Sequence, residues 1–196
     1  MADRIAIHPR HTALLVMDYQ TGILTQLADS DRLVGRVKAA VNTVRGRGGH
    51  VGWVRVAFTP SDLSAIPETS IFADLASRTG GSSLRDDAPD NQFHPELTPL
   101  PNEVAVRKTR VGAFTTTDLD RQLRDRDVTT LVLAGVSTSG VVLSTVREAM
   151  DRDYRIVVLK DACADREQAT HDFLTGTLFP AAAHVTTSDH LDSLWG

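Results

Sequence analysis

Six short apolar runs alternate along the chain with amphipathic stretches, and this alternation constrains the fold more than any other feature of the sequence. The runs are residues 12–18, 50–58, 103–108, 129–135, 154–161 and 183–188. The first, fourth and fifth are almost continuously apolar, which is typical of parallel strands that helices cover on both faces. The pattern therefore predicts a three-layer, Rossmann-like α/β fold with an open, mostly parallel six-stranded sheet and helices on both faces.

The stretches between the runs carry helical patterns. Apolar residues of 31–47 recur at helical spacing, and "GRGG" then ends the helix. Further helices are predicted over 116–126, 138–152 and 166–178. Residues 59–102 are rich in Pro, Ser, Asp and Gly and predict a long excursion with one short helix around 70–78. Such an excursion is either a binding loop or an ordinary surface loop.

Size and charge limit the function classes. A chain of 196 residues suits a single domain over 1–196. The formal net charge of -4 gives no excess of cations for a nucleic-acid partner. The start of the chain, "MADRIAIHPRH", has no apolar core like that of a signal peptide, and no run is long enough for a membrane span. We therefore expect a cytoplasmic protein that acts on a small molecule, with no nucleic-acid or membrane partner.

Polar residues follow several of the predicted strands. In open parallel sheets, ligands bind at the carboxyl ends of the strands, near the point where the strand order reverses. Asp18 ends the first run and Lys108 the third, while Gly135 ends the fourth and is followed by "VSTS". A carboxylate, an amine and a helix start with free N–H groups would together suit acid–base chemistry or the stabilisation of a developing negative charge. Each also has an ordinary interpretation: a turn residue, a solvated strand end and a plain strand-to-helix turn.

Three long motifs give these residues a family context. They are "ALLVMDYQTGIL" at the first strand, "VAVRKTRVGAF" at the third, and "LVLAGVSTSGVVLSTVREAMDRDYRIVVLKDACAD" across the fourth and fifth. Over nearly its whole length the chain resembles the isochorismatase-like (cysteine hydrolase) superfamily, which includes isochorismatases, nicotinamidases and N-carbamoylsarcosine amidohydrolases. In amidases of this family, an Asp, a Lys and a Cys form the catalytic group. The resemblance places the Asp at Asp18, the Lys at Lys108 and the Cys position at Val141.

A valine at this position changes the expected chemistry. Val141 has no lone pair and no ionisable hydrogen, so it cannot attack a carbonyl. Cys163, the single cysteine, lies in "DACAD" after the fifth run and is interpreted as core packing. The chain is thus identified as a family member lacking the nucleophilic cysteine. Isochorismatases carry Gly at this position and cleave a vinyl ether, which implies a reaction with Asp18 as general acid and Lys108 holding its carboxylate.

Three functions remain open from the sequence. The first is a hydrolase that acts without a thiol on an enol ether similar to isochorismate, or on a related acid-labile bond. The second is an amidase or ester hydrolase with another nucleophile, for which Ser139 and Ser144 are nearest in sequence. The third is a catalytically degenerate binding protein that keeps the fold. The valine is larger than glycine and fills space that an isochorismatase leaves to its substrate, so the substrate itself stays open.

The resemblance also implies features around the site. It implies a cis peptide between Val136 and Ser137, and assembly as a homodimer or homotetramer. No cofactor and no metal are expected, because Asp62 has no histidine nearby and His94 reads as structural. The substrate-binding residues are predicted to be Gln20, Phe58, Phe114, Ser137 and Thr138.

Overall fold

The computed structural model describes residues 5–196, and it confirms the predicted fold class. The first four residues of the N-terminal stretch, on which part of the signal-peptide argument depends, lie outside the described residues. The strands are β1 (Thr12–Met17), β2 (His50–Val56), β3 (Val104–Lys108), β4 (Thr130–Val136), β5 (Arg155–Ala164) and β6 (His184–Thr186). Their order in the sheet is β3-β2-β1-β4-β5-β6, and all five neighbouring pairs are parallel.

The α-helices are α1 (Thr21–Leu24), α2 (Ser30–Gly46), α3 (Pro60–Ser64), α4 (Ile71–Thr79), α5 (Leu119–Arg124), α6 (Leu143–Met150) and α7 (Gln168–Phe173). Two π-helical turns, Thr138–Val142 and Leu174–Leu178, adjoin α6 and α7. Short 3-10 turns lie at Pro9–His11, Ser82–Leu84, Pro89–Asn91, Phe179–Ala181 and Ser188–Leu194. The short helix predicted around 70–78 is α4, which begins after a Ser70 cap that accepts from the Phe72 N–H.

Burial along the strands follows their place in the sheet. β1 and β4 are buried at every position, because they are central and covered on both faces. The edge strand β3 alternates between buried and more exposed residues. The side chains on the two faces of the sheet form two separate apolar clusters, one including Leu15, Leu133 and Val146, the other including Leu14, Val41 and Val132.

The strand order reverses between β1 and β4. The chain leaves β1 for β2 and β3 on one side, then returns to β4 on the other. Adjacent parallel connections that diverge in this way leave a crevice at the carboxyl ends of the strands. Asp18 lies at this crevice, directly after β1. Among the described residues, no helix is long and apolar enough to cross a membrane.

Candidate active site

Asp18 and Lys108 meet as a buried ion pair although a strand separates them. Lys108 Nζ lies 2.9 Å from Asp18 Oδ2, and the two side chains are only 2% and 6% exposed. β2 lies between β1 and β3, so the two side chains and the contact between them must together span two inter-strand spacings, about 10 Å in all. The lysine crosses the end of β2, where Lys108 is level with Val56. The length of the lysine side chain is therefore what brings the two charges together.

Arg107, the residue before Lys108 in β3, lies on the opposite face of the strand. It points away from Lys108, is 31% exposed, and pairs with Asp62 at 2.7 Å. Its guanidinium also donates to the carbonyl O of Ala57. The two neighbouring cations thus lie on opposite sides of β3, one buried and the other near solvent, as the period of a strand predicts.

The Asp18 carboxyl has one oxygen engaged and one open. Oδ2 accepts from Lys108, whereas Oδ1 is buried and makes no hydrogen bond with residues 5–196. Burial raises the pKa of the Asp18 carboxyl above its ordinary value, and the neighbouring Lys108 only partly opposes this. The backbone at Asp18 has a positive φ of 60°, a conformation that Asp adopts more readily than most residues. The Asp18 carboxyl thus releases its proton less readily than an exposed aspartate does.

The turn after β4 contains the cis peptide that the family resemblance implies, between Val136 and Ser137. The Ser137 hydroxyl oxygen accepts from the Gly140 N–H at 3.1 Å. The Ser139 N–H donates to Asp165 Oδ2 at 2.6 Å. The N–H groups of Ser139 and Gly140, expected from the sequence to be free, are therefore already bonded within the protein.

Thr138 is fully buried. Its hydroxyl lies 2.8 Å from Nδ1 of His171, a residue of α7. Burial lowers the pKa of His171, against the opposing effects of Asp172 and Asp165. This contact fixes the turn against α7, so Thr138 has a structural contact in addition to its predicted role.

Val141 fills the place where the resemblance puts a cysteine. It is 2% exposed and belongs to the apolar cluster that includes Met17 and Val142. A Cβ built on Gly135 would lie 3.2 Å from Val141 Cγ1 and 2.9 Å from Val142 Cγ2. Glycine at 135 is thus required by the close approach of the two valines to the end of β4.

Cys163 is buried in β5, level with Gly135 of β4. Its thiol lies 3.9 Å from the carbonyl O of Leu133. Burial raises the pKa of the Cys163 thiol to about 12. Because the thiolate is the nucleophilic form, burial disfavours this cysteine as a nucleophile near neutral pH.

A cavity of about 620 Å³ opens at this edge of the sheet. Val56 and Val136, which end β2 and β4, line it together with Ser137 and Ser139. Asp18 follows the strand between β2 and β4 and does not itself line the cavity. Apolar side chains of α1, α4 and neighbouring loops form much of the wall: Ile23, Leu27, Ile71, Phe72, Leu75 and Leu84. The excursion predicted from composition therefore contributes to the wall of the candidate site.

The predicted substrate-binding residues fall in different places. Ser137 lines the cavity. Gln20 is fully buried, and its side chain bonds the N–H and the carbonyl O of Val56 and the carbonyl O of Asn91. Phe58 packs against Phe72 behind the wall, with ring centroids 5.2 Å apart. Of the five, Gln20 thus shapes the rim through its hydrogen bonds, and Phe58 supports a residue of the wall.

Phe114 lies in the core, stacked on Tyr154 with ring centroids 6.0 Å apart, and the Arg152 guanidinium covers its ring. It does not line the cavity in this structure. Its predicted contact with the substrate stays a prediction.

Asp165 and Arg166 are cavity residues that sequence reasoning missed. Both line the 620 Å³ cavity and also a neighbouring one of about 660 Å³ on the α2 side. The Arg166 guanidinium donates to Gln26 Oε1, and these residues form part of the wall between the cavities. The signal in the sequence was their place directly after the fifth strand. Within residues 5–196, no three His, Cys, Asp or Glu side chains lie close enough together to hold a metal ion.

Comparisons with known proteins agree with the fold described above. The family model described as the isochorismatase domain matches residues 12–190. An uncharacterized isochorismatase family protein, YwoC of Bacillus subtilis, is 31% identical over 96% of both chains. The ureidoacrylate amidohydrolase RutB of Cronobacter turicensis is 29% identical over 82% of this chain and 77% of its own. An isochorismatase family protein from Burkholderia thailandensis has a similar structure, with a TM-score of 0.83, 29% identity and 98% coverage of both chains.

Proposed function

The chain belongs to the isochorismatase family of hydrolases, and from that premise we propose that it hydrolyses an enol ether or a related acid-labile bond of a small molecule. Asp18 is the general acid, Lys108 holds its carboxylate, and no cysteine nucleophile takes part. Most of the substrate occupies the 620 Å³ cavity, where Ser137 offers a hydroxyl group and the wall is largely aliphatic. Its reacting bond extends between Val56 and Val136, which line the cavity on either side of β1, to reach Asp18.

The single observation that carries this proposal is the asymmetry of the Asp18 carboxyl. Lys108 holds Oδ2, while Oδ1 is buried without a donor, and burial raises the pKa of the group. A general acid must hold a proton near the working pH and have an oxygen free to release it. Oδ1 meets the second requirement, and the raised pKa favours the first.

The reaction follows from these two groups. Asp18 transfers its proton from Oδ1 to the carbon at the far end of the enol-ether double bond, which leaves an oxocarbenium ion. Water adds to the cationic carbon and returns a proton to Asp18. The resulting hemiketal then breaks its C–O bond, so that an alcohol and a carbonyl compound leave. Lys108 stabilises the carboxylate that forms when the proton departs.

The absence of a suitable thiol supports a mechanism of this kind. Val141 offers no nucleophile, and the Cys163 thiol is buried with a pKa of about 12. Acid-catalysed cleavage of an enol ether needs neither a covalent intermediate nor a thiolate. These residues therefore fit an acid-catalysed cleavage better than the reaction of a cysteine amidase.

A second candidate is an amide or ester hydrolase with a serine nucleophile. Two observations favour it: Ser139 is exposed and lines the cavity, and the relative RutB is a ureidoacrylate amidohydrolase. The family resemblance places the nucleophile at position 141, however, two residues beyond Ser139. Labelling of the native protein by a fluorophosphonate probe, lost in Ser139→Ala, would favour this candidate over the enol-ether reaction.

A panel of small vinyl ethers, with matched amides and esters, tests the proposal. The purified protein should turn over a member of the vinyl ether series, and Asp18→Asn should abolish this activity. Asp62→Asn is a matched control, because it removes a carboxylate that pairs with Arg107 outside the cavity. Equal rates in Asp18→Asn and the unmodified protein would refute the proposal. Failure of the whole panel would leave a binding function as the better interpretation.

A further inference from the structure

An internal carboxylate occupies the turn that starts the helix after β4. Asp165 lies in the loop after β5, and its Oδ2 accepts a hydrogen bond from the Ser139 N–H at 2.6 Å. Its Oδ1 accepts one from the Arg166 N–H at 3.0 Å. The next N–H of the turn, that of Gly140, is donated to the Ser137 hydroxyl. A negative group of the protein therefore lies where an anionic reaction centre would otherwise find a backbone donor.

The charges that line the 620 Å³ cavity are few. Asp90 and Asp165 are the carboxylates, and among residues 5–196 Arg166 is the only cation there. The Arg166 guanidinium donates to the neutral Gln26 side chain, and within residues 5–196 no carboxylate lies within 4 Å of it. Of the two carboxylates, only Asp165 contacts the turn that contains Ser137 and Ser139.

We infer that Asp165 sets the charge preference of this cavity: it favours ligands and transition states with positive charge and disfavours oxyanions. The Asp165 carboxylate removes the Ser139 N–H from the donors available to a ligand, and it adds a negative charge beside the turn. Both effects weaken the binding of a negatively charged group relative to a positively charged one. Asp165 is thus a specificity-determining residue that acts through charge.

This preference matches one reaction class and opposes another. Attack on an amide or ester places a negative charge on the carbonyl oxygen, which needs donors without a nearby carboxylate. Cleavage of an enol ether places a positive charge on the substrate, which a nearby carboxylate stabilises. The inference rests on the proposed function only in taking this cavity as the reaction site. Beyond the proposed function, the inference states that the reacting centre of the substrate becomes cationic in this cavity.

The binding of two probes of equal shape and opposite charge tests the inference without any turnover. Benzamidinium and benzoate differ in charge and fit a cavity of this size. Calorimetry at pH 7 should show that the unmodified protein binds benzamidinium at least tenfold more tightly than benzoate. Asp165→Asn keeps an acceptor for the Ser139 N–H but removes the charge, and it should reduce this ratio about tenfold. Asp165→Ala removes both the acceptor and the charge, and it should reduce the ratio of the two affinities further.

Two other variants make the test specific to Asp165. Arg166→Gln should change the ratio in the opposite direction, towards benzamidinium. Asp90→Asn removes the same charge from the same cavity without touching the turn, and it should change the ratio less than Asp165→Asn.

Four results would overturn the inference: equal affinities for both probes in the unmodified protein, binding of neither probe, an unchanged ratio in Asp165→Asn and Asp165→Ala, or an equal effect of Asp90→Asn. A protein that shows the expected ratios but turns over no vinyl ether would instead refute the proposed function alone. The two proposals can therefore fail independently.

Discussion

Replacing Lys108 with Met would leave the Asp18 carboxyl buried without its partner. The ion pair has a length of 2.9 Å between side chains that are 2% and 6% exposed, and Lys108 Nζ also donates to the carbonyl O of Arg110 at 3.1 Å. Removing one partner from a buried pair costs about 3–5 kcal/mol, because the remaining charge is uncompensated. For a chain of this size, we expect Tm to fall by about 6–20 °C.

Urea denaturation at pH 7, followed by tryptophan fluorescence, measures this loss, and the fully buried Trp53 is a natural reporter. Arg107→Met is the matched control, since it removes the neighbouring cation and breaks a pair whose side chains are both 31% exposed. An exposed pair of this kind contributes about 1 kcal/mol or less. The double variant Asp18→Asn with Lys108→Met should recover part of the loss, because no charge then remains buried.

The pH dependence gives a second measurement with a definite sign. Burial raises the pKa of Asp18 in the folded protein, and the opposing effect of Lys108 disappears in Lys108→Met. A carboxyl with a raised folded pKa stabilises the fold fully below its unfolded pKa of about 3.9, and this stabilisation is lost as pH rises through the folded value. The cost of Lys108→Met should therefore be smaller at pH 5 than at pH 8. Equal costs at both pH values, or a cost no larger than that of Arg107→Met, would refute this account of the pair.

Four further predictions follow from other parts of the site. Because burial raises the Cys163 thiol pKa to about 12, an aromatic disulfide reagent at pH 8 should label it only as fast as the protein unfolds, and rapid labelling of the native protein would contradict this. Gly135→Ala places a Cβ 2.9 Å from a valine methyl and should lower the free energy of unfolding by about 1–3 kcal/mol; an unchanged urea midpoint would argue against such close packing. Burial lowers the pKa of His171, so it contributes stability above its unfolded pKa of about 6.5 that is lost as pH falls through the folded value. His171→Gln should therefore flatten the stability curve between pH 5 and 7, whereas an identical slope would exclude this contribution. The V141C variant should hydrolyse p-nitrophenyl acetate poorly, even where iodoacetamide shows that its new thiol is reactive, and adding Asp165→Asn should raise this esterase activity. Equal activity with and without Asp165→Asn would contradict the inference that Asp165 disfavours an oxyanion.

The elements of the fold could be predicted because their signals are local. The almost continuously apolar runs 12–18 and 129–135 predicted parallel strands covered on both faces, and the strands found there, β1 and β4, are buried at every position. Helical spacing over 31–47 predicted α2, which runs over Ser30–Gly46. The π-helical turn at Thr138–Val142 was not predicted, because the sequence there has the same apolar period as the α-helix that follows.

The sequence by itself determined which residues end the central strands, and hence that Asp18, Lys108 and the turn after Gly135 lie at one edge of the sheet. It also determined that Val141 offers no nucleophile. Only the tertiary structure decided that Lys108 crosses the end of β2 to reach Asp18, and that Asp18 Oδ1 has no donor among the described residues. Likewise, only the structure brought Asp165 to the Ser139 N–H. The reason is physical: burial and strand period depend on neighbours in sequence, whereas these contacts depend on strand order, side-chain reach and the path of a loop between distant segments.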